Sequence, residues 1–304
     1  MHLLKRLIIL FLFISVFPGC SFFESEKKDY VGYYQINWTD DGAIFSSKRQ
    51  SRIDHGGHPD GGDEILAEMH QVVKIDPVTL IETTILEVPW GNEISSLSGL
   101  GTIDLFAYLI RDNQLKILKN GELQSHGALS FSFKFPRIVW SPDKQHFGIS
   151  DKDEKFFIYD SNGNLVKESG DGGYIVWKNN QELFFYTRAL QKVAIYNIQS
   201  DAISILNHDI QPDFYDTDQN KLLAVKEGVL FTCDLDLNSI ATKNLSYDFS
   251  TLDAHYFSPD GSKLALSKNK VYQSAFSPSF QSDQPSFGIY LYDLETDVLT
   301  KVRD

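Results

Sequence analysis

The chain has 304 residues, a formal net charge of −13 at pH 7, and is 42% hydrophobic and 13% aromatic. That apolar content is ample for a buried core and excludes a disordered chain. The acidic balance, with no basic run beyond pairs such as Lys27-Lys28, excludes a nucleic-acid surface, which needs clustered Lys and Arg. Two cysteines exclude a disulfide framework.

Residues 1–19 read as a secretory leader. Lys5 and Arg6 form a basic start, and Leu7 to Phe17 is apolar apart from Ser15. That stretch is too short to cross a hydrocarbon core of about 30 Å as a helix. It ends in Phe17-Pro18-Gly19-Cys20, followed by Ser21. A cysteine after a small residue, directly behind an apolar run, resembles a bacterial lipobox. Phe17 and Pro18 stand where that motif usually has Leu and a small residue. The resemblance implies cleavage before Cys20 and covalent lipid on it, no other cofactor being expected. An ordinary leader with an incidental cysteine is the alternative. Ser21, rather than Asp, points to the outer membrane, facing the periplasm. Loss of the leader removes Lys5 and Arg6 and takes the charge to −15. Residues 20–29 then read as a short polar tether.

From residue 30 to 304 one unit recurs. An apolar strand ends in an aromatic, then come Ser-Pro-Asp, a second apolar strand, a third that ends Tyr-Asp in the clearest copies, a turn, and a fourth. The clearest copies start at Ile138-Val139-Trp140-Ser141-Pro142-Asp143 and His255-Tyr256-Phe257-Ser258-Pro259-Asp260-Gly261. Degenerate copies start near Tyr34, Tyr174 and Asp213, and the weakest spans Pro89 to Leu129. Pro pre-sets φ for a turn, Asp caps its backbone, and Gly or Asn takes positive φ. The motif is therefore a strand connector, and the aromatic before it belongs between sheets.

Six such copies predict an all-β fold, a six-bladed β-propeller of four-stranded antiparallel sheets, favoured over seven blades. The blades are expected over 30–88, 89–129, 130–170, 171–209, 210–250 and 251–304. Helix-period patterns are absent. The aromatic-Ser-Pro-Asp-Gly form with its following Ile-Tyr-x-x-Asp strand resembles the TolB-like, or WD40-like, propeller repeat. The resemblance implies the fold; TolB's additional N-terminal domain has no counterpart here. No strand swap between last and first blades is visible, so closure is expected to rest on packing. Cys233, inside an alternating strand, is expected to be a buried free thiol.

Two insertions, Ser47–Met69 and Lys270–Ser286, fall between the second and third strands of their blades, and loops on a rigid scaffold are common binding sites. The candidate binding residues there are Arg49, Arg52, Asp54, His55, His58, Asp60, Asp63, Tyr272, Phe276 and Phe280. His55, His58 and His70 suit zinc or another divalent transition metal, although His-x-x-His in a Gly-rich loop is more simply a polar loop. There is no Gly-x-Ser-x-Gly elbow, P-loop or dinucleotide fingerprint, and no catalytic residue is assigned. The expectation is a lipid-anchored envelope scaffold that binds a protein or peptide and no nucleic acid. The alternative is an enzyme or a binder of saccharide or metal using the central channel.

Overall fold

The computed structural model describes residues 26–39, 41–55, 64–89, 94–98, 105–110, 114–129, 136–151, 155–169, 172–236, 239–247, 254–268 and 288–303. They form 24 strands in six four-stranded antiparallel sheets, each ordered as in the chain. Blade 1 holds β1 (Glu26–Trp38), β2 (Ile44–His55), β3 (Glu64–Ile75) and β4 (Glu82–Val88). Blade 2 holds β5 (Ile94–Ser98), β6 (Leu105–Ile110), β7 (Gln114–Lys119) and β8 (Glu122–Ala128). Blade 3 holds β9 (Pro136–Trp140), β10 (His146–Asp151), β11 (Phe156–Asp160) and β12 (Leu165–Ser169). Blade 4 holds β13 (Ile175–Trp177), β14 (Glu182–Thr187), β15 (Lys192–Asn197) and β16 (Ala202–Ile205). Blade 5 holds β17 (Phe214–Asp216), β18 (Lys221–Lys226), β19 (Val229–Asp234) and β20 (Ser239–Asn244). Blade 6 holds β21 (Ala254–Phe257), β22 (Lys263–Lys268), β23 (Gly288–Asp293) and β24 (Val298–Lys301). This is a six-bladed β-propeller, and the weak second copy forms a full blade.

The chain divides into two compact units. Residues 31–49, 69–272 and 281–304 carry the blades; residues 1–30, 50–68 and 273–280 form the other. In the smaller unit the described residues are the distal parts of β1, β2 and β3. There Arg52 donates to both carboxylate oxygens of Asp29 (2.7 and 3.0 Å). This corrects two expectations. Most of the first insertion is strand rather than loop, because β2 runs on to His55 and β3 starts at Glu64. Glu26–Asp29, read as tether, already belongs to β1.

The Ser-Pro-Asp connectors work as turn locks. Ser141 donates to Asp143 Oδ1 (2.7 Å) and accepts from His146 N (3.0 Å), while Lys144 takes φ 63°. Ser258 repeats this with Asp260 (2.6 Å) and Lys263 N (2.9 Å), and Gly261 supplies φ 70°. Thr39, Asp41 and Gly42 do the same in blade 1. The turns after the third strands are held by Asp76, Asp160, Asn197 and Asp293, each accepting from backbone N–H groups two to four residues on.

The core consists of six clusters, one at each junction between neighbouring blades. Between blades 2 and 3, Leu109 and Ile117 meet Trp140 and Phe147; between 3 and 4, Phe156 and Ile158 meet Ile175 and Phe185. Cys233 lies at the junction of blades 4 and 5, a buried free thiol whose pKa burial pushes up to about 11, with Asp209 adding to the rise. Trp177 Nε1 donates to Val139 O (3.1 Å) of the preceding blade, and Trp38 Nε1 to Tyr256 O (3.0 Å) in the same way.

Among the described residues no strand passes from the last sheet into the first. Closure rests on Tyr33, Ile36, Ile44, Val73 and Ile75 packed on Ala265, Ile289 and Val302. Glu82 binds across this junction. It accepts from Tyr33 (2.6 Å) and Lys48 (2.5 Å), with Arg303 Nε at 3.8 Å. Arg303 also donates to Leu80 O.

Blades 3 and 4 press together most closely at Gly148, where an added Cβ would lie 2.0 Å from Ile175 Cδ1. Gly148→Ala should therefore destabilise the protein by about 1–3 kcal/mol. Ile175→Val, which deletes Cδ1, should recover part of that loss in the double variant, as read by thermal or denaturant unfolding.

Candidate functional site

The residues expected to form a binding loop are distributed as follows. Arg49 is half-buried on β2, Arg52 is engaged with Asp29, and Asp54 is buried near the end of the same strand. His70 is buried on β3 opposite Val88. His55 ends β2, but its side chain lies outside the described residues, as do Cys20, His58, Asp60, Asp63, Tyr272, Phe276 and Phe280. Among the described residues no three His, Cys, Asp or Glu side chains group as a metal centre.

A different constellation forms where the blades' first strands converge. The first strands of neighbouring blades approach one another (β5 with β9, β9 with β13, β13 with β17), which identifies them as the inner strands around the propeller axis. Arg137 on β9 reaches from blade 3 past blade 4 to blade 5. Its Nη2 donates to Asp213 O (2.9 Å), and Nη1 lies 3.6 Å from Asp213 Oδ1. The guanidinium stands 5.6 Å from the ring centroid of Tyr174 in blade 4 and 5.2 Å from that of Tyr256 in blade 6. His255 Nε2 is 3.3 Å from Asp213 Oδ2, which also accepts from Val225 N (2.9 Å). Four blades thus meet through one guanidinium, one carboxylate, one imidazole and two phenol rings. Arg137 and Asp213 are mostly buried, and His255 is more accessible than either (29% exposed).

Burial alone would raise the Asp213 pKa. Contacts from His255, Arg137 and Val225 N outweigh it and leave the carboxyl below its ordinary value. Burial pushes the Tyr256 phenol up, so it stays protonated across the physiological range. Both Asp213 oxygens are committed within the cluster, and the flat guanidinium is stacked rather than open, so the resting arrangement is an electrostatic clasp.

Sequence reasoning did not single out this cluster, yet the repeat carries a signal. Two residues before the strand-ending aromatic, blades 1, 3 and 4 place Ile36, Ile138 and Ile175. Blades 5 and 6 place Asp213 and His255 at that position. Arg137 itself has no such signature, because its partners lie 37 to 119 positions further along the chain.

A scan against protein-family models finds no match, and no curated protein matches the sequence. Among solved structures, that of Kluyveromyces lactis Hsv2p is similar at 14% identity with a TM-score of 0.48, covering 86% of this chain and 74% of that one.

The clasp has a measurable pH signature. The Asp213 pKa is depressed on folding, so its contribution is present above the unfolded carboxyl pKa of about 3.9 and is lost as pH falls through the folded value. Asp213→Ala, which leaves Arg137 mostly buried without its carboxylate, should cost about 3 kcal/mol at pH 7. The difference from the unsubstituted protein should shrink in acid, as measured by denaturant titration at pH 7 and pH 3.

Proposed function

We propose that the chain is a lipid-anchored lipoprotein of a bacterial cell envelope, facing the periplasm from the outer membrane, whose propeller is a non-catalytic scaffold for a protein or peptide. The observation that carries this reading is the junction of two features in one chain: a lipobox-like Phe17-Pro18-Gly19-Cys20 and a six-bladed propeller beginning within a few residues of it. The Ser-Pro-Asp-Gly connectors are in keeping with the TolB-like repeat of envelope propellers. The state of the inner-strand polar groups also favours a scaffold over a hydrolase. Asp213 takes both of its side-chain hydrogen bonds at Oδ2 and is ion-paired with Arg137 at Oδ1, so it is not poised as a general acid or base. The partner surface is assigned to β2 and β3, where Arg52 is exposed on a strand twice the usual length for this ring.

A second reading, a small polar ligand such as a saccharide held in the channel, draws on the convergence of Arg137, Asp213, His255 and two tyrosines. Thermal-shift screening against sugars, with Arg137→Gln as the blank, separates it from the first.

Metabolic labelling with palmitate tests the anchor: label is expected on the intact chain and absent from Cys20→Ala, and equal labelling of both overturns it. Deleting residues 56–63 from a still-folded chain should reduce recovery of a defined envelope complex by about tenfold, or roughly 1.4 kcal/mol. Unchanged recovery moves the partner site away from the hairpin.

A further inference from the structure

Among the described residues the outer strand of each blade leaves one edge unpaired, and proteins commonly protect such edges with charge. Five of the six follow this rule: Glu82 and Glu87 on β4, Glu122 on β8, Lys167 and Glu168 on β12, Lys243 on β20 and Lys301 on β24. β16, Ala202-Ile203-Ser204-Ile205, carries none. It is exposed throughout, with Ile203 at 55% and Ile205 at 48%, and it pairs with β15 without a register shift.

We infer that β16 is a self-association edge, which joins antiparallel to β16 of a second copy about a two-fold axis at Ser204. Three observations select a second copy as the occupant. First, Ile203-Ser204-Ile205 is palindromic, so a two-fold sets Ile203 against the partner copy's equivalent of Ile205 and clusters four isoleucines on one face. Second, the backbone groups are aimed correctly. Leu206 donates inward to Val193 O (2.8 Å), and the alternation of an antiparallel ladder then turns the N–H and C=O of Ile203 and Ile205 outward. The two-fold register uses all of them in four hydrogen bonds. Third, the flanking residues avoid like-charge contact. The same register places exposed Asp201 opposite Asn207 of the other copy, whose side chain accepts from Lys192 (3.3 Å). Asp201, already ion-paired with Lys167 (3.0 Å) and accepting from Tyr196 (2.7 Å), thereby faces a neutral amide with Lys192 behind it rather than its own twin.

Four residues a side bury far less than the roughly 1,200–2,000 Å² of a stable interface. The pairing is therefore weak in dilute solution and gains from confinement on a surface; in that respect alone it rests on the lipid-anchor reading.

The test is directed cross-linking of the full-length chain, concentrated in detergent. Ser204 on the two-fold is a non-hydrogen-bonded pair with Cα atoms about 4.5 Å apart, within reach of a disulfide. Ser204→Cys under mild oxidation should give a covalent dimer at least tenfold faster than Thr300→Cys on the charged edge β24, with the unsubstituted chain as the blank. Ile205→Pro removes an outward N–H that its own sheet does not use. It should abolish the cross-link while leaving the melting temperature within a few degrees, and Ile203→Lys serves if the proline variant fails to fold. Equal rates for Ser204→Cys and Thr300→Cys, or a cross-link that survives in both blocking variants, overturn the proposal. The cross-link needs no lipid, so its failure is distinct from a failure of palmitate labelling.

Discussion

Every sheet in this protein must be covered on both faces by its two neighbours. That requirement sets the composition, because each junction needs its own apolar cluster, and six junctions account for the aromatic content that the sequence displays. It also sets the character of the connectors. With both faces buried and turns confined to the rims, the backbone groups at each turn need local partners. Ser141 with Asp143, Ser258 with Asp260 and Thr39 with Asp41 supply them within five residues. The blade is thus a locally satisfied unit that is stable only in company.

The same requirement leaves the axis as the place where covering runs out. Inner-strand side chains point toward one another there across a narrowing space, and blades 5 and 6 place Asp213 and His255 where other blades have isoleucine. A lone carboxylate in that position would be raised and neutralised by burial. His255, together with Arg137 over the rings of Tyr174 and Tyr256, keeps it charged. Desolvation of the pair is offset by stacking and by the Val225 N–H, so the cluster couples non-adjacent blades across the ring, a link that junction packing does not provide.

Most of the fold was legible because the repeat is written in turn chemistry, which is local. Ser-Pro-Asp, Tyr-Asp and the strand-ending tryptophans each announce their position without reference to distant residues. Even the second blade, whose Pro89–Leu129 copy lacks the motif, was placed by the spacing of its neighbours. The first insertion was misread because Lys48-Arg49-Gln50-Ser51-Arg52 has the polarity of a loop. Its strand character is a tertiary matter: the segment is paired on both sides, by β1 and β3, and a strand so flanked does not need an apolar face to persist. The clasp was half legible. Asp213 and His255 break a positional pattern, whereas Arg137 becomes meaningful only when the ring brings it to them.

Ring closure through side chains alone has a consequence for how the protein is made. The last apolar residue of the closing cluster is Val302, and the last cation of the Glu82 junction is Arg303. A chain synthesised from its N-terminus holds Ile36, Ile44 and Val73 uncovered until Ala265, Ile289 and Val302 emerge, although five blades can already have assembled on one another. Closure of the ring therefore waits on a late event that joins blade 6 to blade 1, and loss of Val302 and Arg303 would remove components of that latch.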